Sequence, residues 1–106
     1  MPITRNEPRR STRVPIRVRV EVLGTGKSYD GETIVVNMHG ALVKTSSPLE
    51  LGSRVTVHVQ LTGKSAEGRV VLATPERPLE FGIGFDHPEN IWGISLPPAD
   101  WHEETA

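Results

Sequence analysis

Apolar and polar residues alternate with a period of two through most of this chain. The first run extends from residue 14 to 22, with Ile16, Val18 and Val20 on one face and Arg17 and Arg19 on the other. Alternation of this kind is typical of a strand that buries one face and exposes the other. Comparable runs predict five further strands, at residues 31–37, 41–45, 54–61, 66–73 and 79–85.

Glycine and proline separate these runs, as at Gly24–Lys27, Thr62–Lys64 and Pro75–Pro78. Such residues favour tight turns, and no long stretch has helical periodicity. Six short strands about ten residues apart predict an all-β fold, an antiparallel barrel or sandwich.

Three details of the strands follow from the same pattern. The second strand should have residues 34–36 as its apolar centre. In the fourth strand, Leu61 should point inward on the same face as Val55, Val57 and Val59. Glycine within a strand often marks a bulge. Gly68 is therefore a candidate bulge in the fifth strand.

The two ends of the chain lack strand alternation. Residues 1–13 contain two prolines and are predicted to form a flexible arm, followed by a barrel at 14–86. Residues 87–106 are predicted to pack back on the barrel through apolar residues that include Trp92, Leu96 and Trp101. Pro98 suits the start of a short helical turn. The tryptophans either cap the core or form a partner surface.

Composition excludes several functional classes. The chain has no cysteine, and its four histidines show no metal-ligand spacing, so neither a metal site nor a cofactor is expected. No nucleophile accompanies the carboxylates, and we expect a protein that is not an enzyme. No apolar stretch approaches the roughly 20 residues of a membrane span. We expect no membrane insertion and a cytoplasmic location.

Positive charge is concentrated at one end. Six of the twelve basic residues lie within residues 1–19, all of them arginines, and only Glu7 opposes them there. The planar guanidinium group binds phosphates and guanine edges through two parallel hydrogen bonds, which lysine cannot do. An arm that binds a phosphorylated, guanine-bearing ligand is the function that this pattern favours.

Two motifs carry a resemblance to a known family. Arg9-Arg10-Ser11-Thr12-Arg13 precedes the first strand, and Val35-Val36-Asn37-Met38-His39-Gly40 ends the second. An Arg-x-x-x-Arg motif followed by an [Asp/Asn]-x-Ser-x-x-Gly motif resembles the PilZ domain. The order, spacing and strand number agree from about residue 9 to residue 85. The resemblance implies a six-stranded split barrel and, as ligand, the bacterial second messenger cyclic di-GMP.

The resemblance assigns roles to individual residues. Arg9 and Arg13 fit the arginine pair that grips guanine edges and phosphates, and Gly40 fits the closing glycine. Asn37 stands at the serine position and keeps a polar group. Val35 stands at the Asp/Asn position, where it cannot form a side-chain hydrogen bond. Loss of such a bond typically costs ~1–3 kcal/mol, so weaker binding than that of an intact motif, or none, is expected.

Several assignments have two interpretations. Arg10 either binds a second phosphate or points to solvent, Asn37 either contacts ligand or satisfies turn backbone groups, and His39 either stacks on a guanine or faces solvent. A shifted register would put Asn37 and His39 at the Asp/Asn and serine positions. That register would place Leu42 at the glycine position, so the first register is preferred.

The leading hypothesis is a cyclic di-GMP receptor module. Its arginine arm would order over the barrel when ligand binds, and an unidentified effector protein would recognise the new surface. The alternative is an interaction adaptor with the same fold that has lost its ligand. A nucleic-acid-binding barrel is disfavoured, because such barrels stack bases on exposed aromatics and aromatics make up only 5% of this chain.

Overall fold

The computed structural model describes residues 12–101, and almost all of its regular structure is β. A single helical turn covers residues 99–101. No helix in this range is long and apolar enough to cross a membrane. The strands are β1 (Val14–Pro15), β2 (Arg19–Gly24), β3 (Lys27–Asn37), β4 (Gly40–Thr45), β5 (Arg54–Val59), β6 (Ser65–Thr74) and β7 (Arg77–Phe85).

Six of the strands close into an antiparallel barrel. Their order is β3-β2-β5-β6-β7-β4, and pairing of β4 with β3 completes the circle. The two-residue strand β1 adds to the end of β3, where Val14 pairs with Val36 and Pro15 with Val35. The predicted all-β barrel is therefore confirmed, with one additional short strand.

The core is formed mainly by the inward-facing valines that the alternation predicts. Val22, Val43, Val57 and Val59 have no exposed surface. Burial of such side chains is the principal force that holds the barrel together. Residues beyond the last strand add to the same core, namely Ile91, Trp92 and Trp101. Leu96 does not, because 92% of its surface is exposed.

The predicted continuous strand at 14–22 is wrong, because residues 16–18 leave the ladder. The buried hydroxyl of Thr33 replaces the missing strand pairing. It donates to the carbonyl of Ile16 at 2.5 Å and accepts from the N–H of Val18 at 2.9 Å. The carbonyl of Val18 in turn accepts from the N–H of Thr33. Apolar alternation continues through the break and so cannot reveal it.

The β2–β3 hairpin is longer than the apolar pattern predicts. β3 begins at Lys27, where it pairs with Gly24, and Gly26 takes the positive φ of 70° that the turn requires. Residues 27–30 are mostly polar and lie on an exposed ribbon, so hydrophobicity does not mark them. β5, in contrast, ends at Val59, and Leu61 is 80% exposed in the following turn. Its predicted inward orientation is wrong.

Strand irregularities occur at positions other than the predicted one. The register shifts between Thr33 and Val35, between Val70 and Leu72, and between Ala73 and Thr74. Gly68 stays within the ladder, paired with Phe85 and Val55. Its lack of a side chain has a different reason, because a β-carbon there would collide with the carbonyl of Gly84.

Candidate functional site

A groove of about 280 Å³ lies on the outer side of the barrel, where β3, β4, β6 and β7 meet. Its walls come from five separate segments of the chain. They comprise Arg13, residues 35–37, residues 39–42, residues 71–72 and residues 82–84. Four of the predicted site residues, Arg13, Asn37, His39 and Gly40, thus lie around one groove. Arg9 and Arg10 lie outside the described residues.

Strand pairing brings the two sequence motifs together. Val14, which follows Arg13, pairs antiparallel with Val36, which precedes Asn37. Continuing this register by one residue places Arg13 opposite Asn37. The short β1 strand therefore fixes the last arginine of the basic arm against the end of β3, although the two positions are 24 residues apart in sequence.

The turn from Asn37 to Gly40 is held by hydrogen bonds within it and behind it. The side-chain oxygen of Asn37 accepts from the N–H of His39 at 2.8 Å, which is an Asx turn. The carbonyl of His39 accepts from the N–H of Phe85 at 2.7 Å. The side chain of Asn37 therefore satisfies a backbone N–H of the turn, which is one of the two roles considered for it. His39 is exposed at the groove.

Met38 anchors this turn from the inside. Its side chain is 2% exposed, and its carbonyl accepts from the N–H of Glu89 at 2.9 Å. The indole N–H of Trp92 donates to the carbonyl of Asn37 at 2.9 Å, and its ring stacks on Phe85 with the centroids 5.7 Å apart. Core packing thereby holds the polar turn at the mouth of the groove.

Part of the groove wall is apolar. Val35 pairs with Leu42 across β3 and β4, and both are half-buried in the groove. Val71 and Leu72 are 58% and 52% exposed, although neighbours in a regular strand point to opposite faces. The register shift between Val70 and Leu72 explains this, because a bulge re-aims the side chain beside it. We call these four residues, Val35, Leu42, Val71 and Leu72, the apolar shelf.

Two glycines of β7 make room for the shelf. Leu72 pairs with Gly82, and a β-carbon at Gly82 would lie 2.8 Å from that of Leu72. At Gly84 a β-carbon would lie 3.3 Å from Val71. The Gly82-x-Gly84 pattern therefore permits bulky side chains of β6 to lie across β7. No local pattern in the sequence places the shelf above them.

Positive charge at the groove comes from Arg13. Its side chain is exposed, and within residues 12–101 it forms no ion pair. Arg17 differs, since its Nε lies 3.8 Å from a carboxylate oxygen of Glu32. Arg13 is thus the described arginine at the groove that can meet an anionic ligand, and the apolar shelf can receive the flat face of a ring.

Comparison with known proteins gives a family match. The family model for the PilZ domain matches residues 4–91, which is most of the chain and includes both sequence motifs. No curated protein matches the chain. The match ends just before Trp92, so the final part of the described tail lies beyond it.

Proposed function

This chain belongs to the PilZ domain family, and from that premise we propose that it is a receptor module for cyclic di-GMP. PilZ domains are binding modules, and the family in general consists of cyclic di-GMP receptors. We place the ligand in the groove between Arg13 and the Asn37–Gly40 turn. No catalytic step is part of the proposal.

The observation that carries the proposal is the convergence of both motifs on one groove. Arg13 from the arginine motif and residues 35–37, 39 and 40 from the second motif line it together. A cyclic dinucleotide has two phosphates and two flat purines, so it needs cations beside surfaces on which rings can rest. Arg13 meets the first need through charge-assisted hydrogen bonds, and the apolar shelf meets the second.

The remaining site residues have proposed roles around the same ligand. His39 is exposed at the mouth and is assigned to stacking on a guanine. The side chain of Asn37 orients the turn, and Gly40 lets the backbone of β4 approach β7 closely. Arg9 and Arg10 are assigned to the phosphates and guanine edges by their place in the sequence motif alone.

Val35 sets the expected strength of binding. It lines the groove where the family motif has Asp or Asn, so its side chain offers the ligand no hydrogen bond. A missing bond of this kind costs ~1–3 kcal/mol, or about ten- to a hundred-fold in affinity. We therefore propose a receptor that binds more weakly than one with an intact motif.

Signalling in this proposal depends on the arginine arm. Ligand phosphates would neutralise Arg9, Arg10 and Arg13 and draw the arm over the barrel, which creates a surface that an effector protein can recognise. The ligand and the effector are both expected in the cytoplasm. Neither nucleic acid nor membrane is required as a partner.

One observation favours a second candidate function, that of a ligand-free adaptor. The apolar shelf exposes Val71 and Leu72 beside Val35, and exposed apolar surface is often a protein-binding surface. In this alternative the shelf binds an effector directly. The two candidates differ in whether Arg13 is needed for an interaction with a nucleotide.

Isothermal titration calorimetry with cyclic di-GMP separates the candidates. The wild-type chain, Arg9→Ala and Arg13→Ala are titrated, with GTP as the control ligand. Binding of cyclic di-GMP that is weakened at least tenfold in both variants, together with no binding of GTP, supports the receptor. Absence of heat at high ligand concentration would reject the receptor and favour the adaptor.

A further inference from the structure

We propose that Asp100 and Trp101 are positioning residues that hold Thr12 and so fix the point at which Arg13 enters the groove. The inference rests on the proposed function, because it concerns the geometry of the same site. Both residues lie beyond residue 91, where the family match ends. Thr12, which they hold, lies within the match.

Three hydrogen bonds join the tail to Thr12. The carboxylate oxygen Oδ2 of Asp100 accepts from the N–H of Thr12 at 2.9 Å and from its hydroxyl at 2.8 Å. The indole N–H of Trp101 donates to the carbonyl of Thr12 at 2.7 Å. Both main-chain polar groups of Thr12 are thus bound by residues about 88 positions away in sequence. We call this contact the tail clamp.

The clamp is fixed to the core of the barrel. Trp101 is 2% exposed and belongs to the main hydrophobic cluster. Its main-chain N–H donates to the carbonyl of Pro98 at 3.0 Å, which closes the short helical turn that also carries Asp100. A buried tryptophan contributes a large apolar area and a single N–H donor. Here the buried ring anchors the tail, and the indole N–H donates to the carbonyl of Thr12.

The same tail also holds the other wall of the groove. Trp92 donates to the carbonyl of Asn37, while Asp100 and Trp101 hold the residue before Arg13. The stretch from residue 92 to 101 therefore joins the arginine side of the site to the second-motif side. β1 alone offers only two paired residues for this purpose. The tail clamp is an independent restraint on the arginine side.

Preorganisation explains how this restraint would affect binding. Ordering a residue's backbone on binding costs conformational entropy, and a contact that orders it beforehand removes that cost from the binding step. Without the clamp, the backbone of Thr12 would have to be ordered by the ligand. We expect about a tenfold loss of cyclic di-GMP affinity for the ordering of a single residue.

The test compares three variants of the full chain. Asp100→Ala removes the acceptor, whereas Asp100→Asn keeps one side-chain oxygen in its place. Thr62→Val is the matched control, because the Thr62 hydroxyl bonds to the carbonyl of Ile91 and ties down the same tail away from the groove. Thermal unfolding of each variant measures the loss of stability that is common to them.

Two further measurements report on positioning. One is the affinity for cyclic di-GMP by calorimetry, and the other is the ¹⁵N heteronuclear NOE of the Arg13 amide without ligand. We expect Asp100→Ala to lower both, with affinity reduced about tenfold. Asp100→Asn should retain most of the affinity and most of the Arg13 NOE. Thr62→Val should lower the thermal stability but leave the affinity and the Arg13 NOE unchanged.

The outcomes separate this inference from the proposed function. An unchanged Arg13 NOE and unchanged affinity in Asp100→Ala would overturn the clamp while leaving the receptor intact. Equal losses in Thr62→Val would also overturn it, since stability alone would then explain them. If the wild-type chain does not bind cyclic di-GMP, the receptor fails. The Arg13 NOE then decides by itself whether Asp100 positions Arg13.

Discussion

Gly40 of β4 lies so close to Ile83 of β7 that no space remains for a β-carbon at position 40. An added β-carbon would lie only 1.9 Å from the carbonyl oxygen of Ile83. Gly40 pairs with Gly84 in the ladder and has a φ of 154°, which side-chain-bearing residues rarely adopt. The last residue of the second sequence motif thus sets the closeness of two strands beneath the candidate site.

Gly40→Ala is expected to destabilise the barrel by about 2–4 kcal/mol. The estimate combines a steric collision with the main chain and an unfavourable φ, each of which costs on the order of 1–3 kcal/mol. Urea unfolding measures the free-energy change. Gly24→Ala is the control, because a β-carbon there has nothing within 4 Å. Equal stability of the two variants would contradict the close approach.

Thr33→Val is expected to destabilise the barrel by about 1–3 kcal/mol with little change in side-chain volume. The substitution removes the acceptor for the N–H of Val18 and the donor for the carbonyl of Ile16. Polar groups that lose a partner in a part-buried site cost about that amount. Thr56→Val makes the same chemical change at a half-buried position of β5. Chemical denaturation should show a small effect there, and a comparable loss at both positions would refute the role of Thr33.

Val35→Asn should tighten cyclic di-GMP binding about ten- to a hundred-fold. The substitution restores a hydrogen-bonding group on the groove at the position where the family motif has Asp or Asn. Calorimetry measures the affinity. Leu61→Asn, at a turn residue that is 80% exposed and not part of the groove, should leave the affinity unchanged. A Val35→Asn variant that binds no better than wild type would argue against ligand contact at this position.

The ion pair between Arg54 and Asp86 should make a pH-dependent contribution to the stability of the fold. The guanidinium nitrogens lie 2.6 and 3.3 Å from the two carboxylate oxygens. The hydrogen bonds from Arg54 lower the pKa of Asp86, and the charge of Arg54 adds to this against the opposing effect of partial desolvation. Because the folded-state pKa is lowered, the ionised carboxylate stabilises the fold at pH values above its unfolded-state pKa of about 4. This stabilisation is lost as the pH falls through the folded-state pKa.

Asp86→Asn should therefore lower the thermal midpoint slightly at pH 7, and the difference from wild type should shrink below about pH 4. Thermal unfolding between pH 7 and pH 2 checks this. Glu76→Gln removes the same charge in the exposed turn between β6 and β7 and serves as the control. A difference for Asp86→Asn that stays constant across the pH range would exclude the ion pair as its cause.

The barrel could be predicted from sequence because its inward-facing residues repeat with a period of two. The alternation of Val55, Val57 and Val59 appears unchanged in β5. The interruption at residues 16–18 could not be predicted, since it depends on the hydroxyl of Thr33, a residue distant in sequence. Leu61 continues the apolar period but lies in a turn, because the strand ends where pairing with β6 ends.

The candidate site was predictable only in part. The motifs named Arg13, Asn37, His39 and Gly40, and the structure gathers these four residues at one groove. The apolar shelf was not foreseen, because a register shift places Val71 and Leu72 on the same side of β6. The tail clamp was not foreseen either. Its bonds join Thr12 to Asp100 across almost the whole chain, and no local pattern marks them.

An NMR titration of the ¹⁵N-labelled chain with cyclic di-GMP tests the central claim most directly. We expect the largest amide shift changes at residues that line the groove, namely Arg13, Asn37, His39, Gly40 and Leu72. A second groove is lined by residues 23–25, residues 54–56 and Glu67, and its residues should change little. Shift changes centred on that second groove, or no shift changes at high ligand concentration, would contradict the proposed binding of cyclic di-GMP at the first groove.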